Sequence, residues 1–191
     1  CSSYNLNQSS NWTRYTLAAP MRSEPGSEFS YFTGLNIVGH SIIEALSDQS
    51  IDEFSRQHLF SPLDITDLQW LTSPSGEALQ VHLRPRDMAK FGQLFLNKGM
   101  WNGVQILSEA WISDSIATHV TQTWGNEFNY GYWWWLSEIK VSGQTYLTYT
   151  ALGANGQWIL QIPDLQIVVV ITGNKDSNAA WEIVEQYIQL Q

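Results

Sequence analysis

Apolar residues recur at helical spacing in several parts of the chain. The first of these parts has Leu35, Val38, Ile42, Ile43 and Leu46, a spacing typical of an α-helix with one buried face. We expect these side chains to lie in the core. The spacing of apolar residues predicts helices over residues 34–46, 50–60, 86–97, 108–116 and 178–190.

Start and stop signals support these helices. Ser50 followed by Glu53 is a capping-box pattern, and Pro62 is expected to end the helix that begins there. Ser108 is a favourable N-cap residue. Gly99 stands just after the helix predicted over residues 86–97, where a left-handed C-terminal residue is common.

Four extended stretches follow, over residues 130–139, 145–151, 157–162 and 166–172. The sequences between them are short and contain turn-forming residues, which predicts antiparallel pairing in one sheet. The first stretch contains Trp133, Trp134 and Trp135. We expect these rings to serve core packing rather than a ligand platform, with at least one ring pointing opposite to its neighbours.

The order of the elements predicts an α+β fold. Residues 1–30 show no sustained period and are expected to be an irregular lead-in, and a loop is expected after Pro62. Residues 1–125 are predicted to form the helical part of one domain. Residues 126–191 are predicted to form its antiparallel sheet, with a C-terminal helix packed across it.

The charge balance disfavours a nucleic-acid partner. Nine basic residues stand against 18 acidic ones, which gives a net charge of −9, so there is no surplus of cations to displace counterions from a phosphate backbone. The longest uncharged apolar run covers residues 167–171, far below the roughly 20 residues that cross a bilayer.

The single cysteine, Cys1, allows no internal disulfide. Two serines follow it, as they can at the lipid-bearing start of a bacterial lipoprotein, although no signal segment precedes it in the sequence. The simpler interpretation is that Cys1 reflects where the chain was cut.

General catalytic signatures do not occur in the sequence. It has no Gly-x-Ser-x-Gly elbow, no His-Glu-x-x-His metal motif and no phosphate loop. The histidines His40, His58, His82 and His119 fall in different predicted elements without ligand spacing, so surface or capping roles are favoured over metal binding. We assign no metal and expect no cofactor.

Several short segments carry a resemblance in order and spacing. They are residues 25–31 (PGSEFSY), 42–45 (IIEA), 59–65 (LFSPLDI), 70 (W), 86–94 (RDMAKFGQL), 96–99 (LNKG), 101–103 (WNG), 106–108 (ILS), 130–134 (YGYWW) and 153–157 (GANGQ). From about residue 12 onward the chain resembles the C-terminal portion of serine hydrolases related to class C β-lactamases, D-alanyl-D-alanine carboxypeptidases and esterases. The resemblance implies a β-lactamase/transpeptidase-like fold and hydrolysis through a serine acyl-enzyme.

The resemblance also implies site residues. In the family a Tyr-x-Asn-like motif stands beside the substrate carbonyl, and residues 31–33 (YFT) occupy its place. Tyr31 is then the general base or proton shuttle, and Thr33 stands where asparagine or serine is usual. A threonine hydroxyl lacks the carbonyl and the paired donors of an amide, so the substrate is held differently there.

A Lys-Thr-Gly-like strand is the second element that can be located. Residues 151–153 (ALG) occupy its place and contain no lysine, and Ala154 and Asn155 follow. In relatives this strand edge supplies a backbone N–H to an oxyanion hole, which requires close backbone approach rather than particular side chains. Gly153, Ala154 and Asn155 are therefore the predicted oxyanion and substrate-binding residues. Without the strand's cation, neutral esters or amides are favoured over carboxylate-bearing substrates.

The nucleophile is expected outside this chain. In the family a Ser-x-x-Lys motif lies upstream of the tyrosine, whereas this sequence has that spacing only at Ser137 and Lys140, within a predicted strand. Residues three apart in a strand face opposite ways, so Lys140 cannot activate Ser137. We expect the N-terminal helix, strands and nucleophile helix of the fold to be a missing partner segment.

Two other interpretations remain open. The chain can be a non-catalytic module that binds a glycan or peptide in an aromatic-rich cleft, or a truncated product whose exposed apolar faces lead to aggregation. Family analogy favours an extracytoplasmic location, periplasmic or secreted. The choice among ester, amide, β-lactam and D-amino-acid peptide substrates, and the oligomeric state, stay open.

Overall fold

A computed structural model describes Leu6 and residues 9–122, 128–173 and 177–188. The chain forms two compact units, Cys1–Leu83 (unit 1) and Arg84–Gln191 (unit 2). The predicted division between residues 125 and 126 lies outside the described residues and stays a prediction, as does any role of Cys1. No helix of the described part is long and apolar enough to cross a membrane.

Unit 1 combines helices with a short hairpin. Its elements are helices α1 (Trp12–Leu17), α2 (Gly34–Ser47) and α3 (Ile51–Ser55), a π-helical segment (Arg56–Phe60), and strands β1 (Leu68–Thr72) and β2 (Ala78–Leu83). Strands β1 and β2 pair antiparallel. A small core forms where Leu6, Trp12 and Ile37 pack together with Tyr15 and Leu79, which joins α1, α2 and β2.

A partly buried carboxylate fixes α1 to the hairpin. Asn11 caps the helix by accepting a hydrogen bond from the N–H of Arg14. The Glu77 carboxylate, which lies just before β2, accepts the N–H of Trp12 at 3.0 Å and that of Thr13 at 2.8 Å. Glu77 thereby satisfies two N–H groups in the first turn that the helix cannot pair itself, and anchors a segment 65 residues away.

Unit 1 confirms some predictions and corrects others. The helix predicted over residues 34–46 is present as α2. Helix α3 begins with the predicted capping box of Ser50 and Glu53. The prediction of an irregular lead-in over residues 1–30 was wrong, because α1 forms within it. The region after Pro62, predicted to be a loop, contains the β1–β2 hairpin. The predicted buried face of α2 was also wrong: Ile37 is buried, whereas Leu35, Ile42 and Leu46 are exposed.

Unit 2 is built on a meandering antiparallel sheet. Helix α4 (Pro85–Leu96), a small hairpin of β3 (Met100–Trp101) and β4 (Val104–Gln105), and helix α5 (Glu109–Ser115) come first. Six strands then pair in the order β10-β9-β8-β7-β6-β5. Their bounds are β5 Val120–Gln122, β6 Phe128–Tyr130, β7 Trp135–Val141, β8 Gln144–Gly153, β9 Gln157–Ile162 and β10 Ile167–Ile171, and helix α6 follows over Ser177–Ile188.

Helices cover both faces of this sheet. On one face Ile139, Leu160 and Val184 belong to one buried cluster, so α6 packs across the sheet as predicted. On the other face Leu136 packs with Phe95 of α4 and Ile112 of α5. The sheet is therefore the middle layer of unit 2, and the α+β prediction is confirmed.

One predicted strand is two strands. The stretch over residues 130–139 is interrupted by a turn, because β6 ends at Tyr130 and β7 begins at Trp135. Trp134 is buried against Phe91 and Phe95, as expected for core packing. Trp133 is exposed, so core packing does not account for its ring.

Hydrogen bonding controls the acidity of Glu77. Burial alone would raise the pKa of its carboxyl, but hydrogen bonds outweigh that effect and lower the pKa from 4.5 to about 2. They come from the hydroxyls of Ser75 and Ser73 and from the N–H groups of Thr13 and Trp12. The charged form is thus the one that the fold stabilises.

Replacing Glu77 by glutamine should destabilise unit 1, since a neutral amide cannot accept all of these hydrogen bonds. We expect a loss of about 1–2 kcal/mol in the free energy of unfolding at neutral pH. Because the folded-state pKa is lowered, the carboxylate's contribution is complete above about pH 4.5 and is lost as the pH falls towards 2. Urea denaturation of both proteins across this interval checks the prediction.

The matched control is Glu28→Gln, which removes an exposed carboxylate from the same unit. It should change stability by less than ~0.5 kcal/mol. A stability difference between wild type and E77Q that stays constant as the pH falls would contradict the proposed role of Glu77.

Candidate active site

Tyr31 lies on the segment that leads into α2. Its side chain is 50% exposed. The ring of the neighbouring Phe32 lies beside Gly34, since a Cβ at Gly34 would be 2.5 Å from it. Thr33 is the N-cap residue of α2 and makes no side-chain cap hydrogen bond. The structure thus presents Tyr31 at the surface and keeps Thr33 two residues away at a helix start.

Gly153, Ala154 and Asn155 lie together where β8 turns into β9. Gly153 is the last residue of β8 and pairs with Gln157, and all three predicted residues are exposed. Asn155 has a φ of 61° and Gly156 a φ of 78°, conformations that asparagine and glycine tolerate best. The Gln157 amide donates to the carbonyl oxygens of Asn155 at 3.2 Å and Gly173 at 2.8 Å, which ties the turn to the segment after β10.

The end of β8 extends beyond its neighbour β7. The last pair between the two strands is Trp135 with Thr150, whereas pairing with β9 continues to Gly153. The three residues 151–153 therefore have a register partner on the β9 side but none in β7. Although β8 lies in the interior of the sheet, this end is locally an edge, where backbone N–H groups can bind a ligand.

The turn between β6 and β7 packs tightly on α5. The Gly131 N–H donates to the Trp134 oxygen at 2.9 Å, and the Tyr132 N–H donates to the Ser115 oxygen at 2.8 Å. A Cβ at Gly131 would collide with the Ser115 carbonyl oxygen. Sequence analysis missed this turn, although a glycine inside a strand pattern is a recognised signal for a break.

Comparison with protein families gives one match. The family model described as Beta-lactamase matches residues 3–191, almost the whole chain. The chain belongs to the Beta-lactamase family. The resemblance to β-lactamase-related serine hydrolases and the predicted β-lactamase/transpeptidase-like fold are both confirmed.

Solved structures with a similar fold support this assignment. A Bacillus anthracis protein provisionally assigned as a 6-aminohexanoate-dimer hydrolase is 26% identical, with a TM-score of 0.75, over 90% of this chain and 45% of that protein. A penicillin-binding protein homologue from Caulobacter crescentus is 13% identical, with a TM-score of 0.72, over 93% of this chain and 63% of its own. An octameric penicillin-binding protein homologue from Pyrococcus abyssi is 16% identical, with a TM-score of 0.67, over 86% of this chain and 44% of its own.

These structures are longer than the chain itself. It spans about half the length of the first two of the matched structures, 45% and 44% of each. A search among curated proteins found no match. The assignment to the family rests on the family model and is supported by the solved structures. Together they indicate a hydrolase of the β-lactamase and penicillin-binding-protein type.

The structure brings the predicted site residues together in two groups. Tyr31 and Thr33 lie in unit 1, at the start of α2, and Gly153, Ala154 and Asn155 lie in unit 2, at the end of β8. Each group has its own backbone support. The catalytic and substrate-binding roles of these residues stay predictions.

The internal Ser-x-x-Lys match is not a nucleophile pair. Ser137 and Lys140 both lie in β7, where residues three apart face opposite sides of the sheet. The Ser137 hydroxyl instead lies 2.8 Å from the Thr148 hydroxyl on the neighbouring strand. The prediction that this Ser-x-x-Lys spacing lies within a strand is confirmed.

Two histidines bind backbone carbonyl groups. The His119 Nε2 atom lies 2.8 Å from the Asp114 carbonyl oxygen in the last turn of α5, a capping contact of the kind predicted. The His40 Nδ1 atom lies 2.9 Å from the Ala78 oxygen. Among the described residues, no group of three or more histidine, cysteine or acidic side chains could hold a metal ion.

Substituting alanine for Gly131 should destabilise unit 2, because its methyl group would meet the carbonyl oxygens of Ser115 and Ala117. We expect a loss of about 2–3 kcal/mol in the free energy of unfolding, measured by chemical denaturation. Gly173→Ala is the control, since a Cβ there would meet nothing within 4 Å, and it should cost less than ~0.5 kcal/mol. Equal stability of the two variants would show that the turn does not depend on this close approach.

Proposed function

We propose that this chain supplies part of the active site of a serine hydrolase that cleaves neutral esters or amides through an acyl-enzyme. The observation that carries the proposal is the end of β8, where residues 151–153 extend past β7 and form a local strand edge on a sheet that helices cover on both faces. Fixed backbone N–H groups of this kind stabilise the oxyanion of acyl transfer, because they need no reorganisation when the charge develops.

In the proposed reaction a serine oxygen attacks the substrate carbonyl carbon and its proton passes to a basic group. The carbonyl oxygen becomes an oxyanion held at the Gly153 end of β8. As the bond to the leaving group breaks, Tyr31 delivers a proton to the departing alcohol or amine. Water then attacks the acyl-enzyme, releases the acid and restores the serine.

The nucleophilic serine and its lysine are proposed to come from polypeptide outside residues 1–191. Two observations support this. The chain spans only 45% of the Bacillus anthracis relative, and α2 exposes an apolar stripe of Leu35, Ile42 and Leu46. Exposed apolar stripes of this size are typical of surfaces that another segment covers.

The substrate class follows from what the strand lacks. Residues 151–153 carry no lysine, so no strand cation is available to pair with a substrate carboxylate. The name of the Bacillus anthracis relative refers to a 6-aminohexanoate dimer, whose linkage is an amide, and its 26% identity supports an amide or ester substrate here.

Tyr31→Phe in the protein that contains this chain should lower kcat by about 10²–10⁴-fold, the usual contribution of proton transfer by a positioned side chain. The melting temperature should stay within the error of wild type, since the Tyr31 ring is half exposed. Steady-state hydrolysis of ethyl butyrate, an ester whose alcohol must be protonated as it leaves, measures the effect by pH-stat titration. Tyr187→Phe, an exposed tyrosine on α6, is the control, and unchanged turnover in Y31F would remove Tyr31 from the mechanism.

Fluorophosphonate labelling tests the proposed function as a whole. The reagent is added to the 191-residue chain alone and to the chain joined to the polypeptide that precedes it in its gene, and intact mass and peptide mapping locate the adduct. An adduct only in the longer form, on the serine of a Ser-x-x-Lys motif, supports the proposal. An adduct on the short chain contradicts the assignment of the nucleophile, and no adduct on either favours a ligand-binding module.

A further inference from the structure

The hairpin tip between β8 and β9 extends past the strands on both of its sides. Gly153 pairs with Gln157 at this tip. On one side, β7 pairs with β8 only as far as Thr150. On the other side, the register between β9 and β10 ends at Trp158 with Ile171. In the described part of the sheet, the last pair of the hairpin therefore has no register partner in either neighbouring strand.

A side chain takes the place of the ladder on the β10 side. The Gln157 amide nitrogen donates a hydrogen bond to the carbonyl oxygen of Gly173, which follows the end of β10, at 2.8 Å. The same nitrogen donates to the Asn155 carbonyl oxygen inside the loop at 3.2 Å. Carbonyl oxygens only accept hydrogen bonds, so both N–H groups of the amide are used. Gln157 thus links the loop to the segment after β10.

Gln157 also packs against Gly153 itself. A Cβ at Gly153 would lie 3.0 Å from the Gln157 Cβ and 3.3 Å from the Gln157 carbonyl oxygen. The loop between the two residues has left-handed backbone at Asn155 and Gly156, and glycine allows many backbone conformations. Contacts from Gln157 therefore reach both the last residue of β8 and the middle of a loop whose own sequence restrains it little.

An oxyanion site depends on contacts of this kind. Backbone N–H groups stabilise developing charge best when they are oriented before the reaction begins, and a displacement of about 1 Å lowers a rate by up to about 10²-fold. Residues that do not touch the substrate supply this orientation by holding those that do. A side chain that joins the loop to a neighbouring segment is suited to that task.

We propose that Gln157 is a positioning residue that holds the backbone N–H groups at the end of β8 in the orientation that binds the oxyanion. This inference rests on the proposed function, which assigns the oxyanion to that end of the strand. Gln157 acts through Gly153 and the loop, since carbonyl groups of the protein use both of its amide donors. The oxyanion exists only after attack on the carbonyl carbon, so the loss of Gln157 should lower kcat and leave substrate binding intact.

The chain contains a matched control for this amide. The Gln105 amide nitrogen also donates to two carbonyl oxygens, that of Lys98 at 2.8 Å and that of Leu107. Gln105 lies in β4, which carries none of the proposed site residues. Gln157→Met and Gln105→Met each remove a double contact of the same kind and keep an unbranched side chain. Only the first substitution should affect catalysis.

Steady-state kinetics test the proposal in the protein that contains this chain and its nucleophile. Gln157→Met should lower kcat for ethyl butyrate by about tenfold and change KM by less than about twofold. Inhibition by butylboronic acid, which forms a tetrahedral adduct with a catalytic serine, should weaken by about the same factor as kcat. Gln105→Met should leave all three quantities unchanged. An equal loss of kcat in both variants, or an unchanged kcat in Q157M, would overturn the inference.

NMR relaxation separates this inference from the proposed function. In Q157M the backbone order parameters of residues 153–156 should fall from about 0.85, the value of rigid backbone, towards about 0.6. If they fall while wild type hydrolyses no ester, the proposed function fails and the positioning of the loop by Gln157 stands. Order parameters that do not change in Q157M would overturn the inference at any level of activity.

Discussion

The unequal lengths of β7 and β8 are the constraint on which the candidate site in unit 2 depends. Strand β7 has seven residues and β8 has ten, and their hairpin closes at Ser142 and Gly143, which both have positive φ. This two-residue turn fixes the register, because pairing must start at Val141 with Gln144. The surplus length of β8 then appears only at its far end, where it forms the local edge.

The position at which β7 begins, Trp135, is itself a result of packing. Gly131 approaches the Ser115 carbonyl of α5 so closely that only a residue without a side chain fits, and the chain turns there before Trp134 enters the core. Helix α6 packs on one face of the sheet, and α4 and α5 pack on the other. A backbone group that stabilises developing charge must be held in place before the reaction, and a sheet packed on both faces provides that support.

Local sequence predicted the elements whose signals are local. The capping box at Ser50, the N-cap at Ser108 and the bounds of β9 follow from residues within a few positions of one another. Helix α1 has a local signal in its N-cap residue Asn11, but it is only six residues long, and two further N–H groups of its first turn are satisfied by Glu77, 65 residues away, which no periodicity reveals. The buried face of α2 was misjudged because amphipathic spacing shows that a stripe exists, not that anything in this chain covers it.

The candidate site shows the same division. Tyr31 and Gly153 came from resemblance to a family, since neither a lone tyrosine before a helix nor a glycine in a hairpin is a signal by itself. Trp133 is different, because three consecutive tryptophans suggest a core and only the backbone angle separates the buried ring from the exposed one. Trp134 contributes to stability through burial, whereas the ring of Trp133 stays half exposed although it follows the same pattern in the sequence.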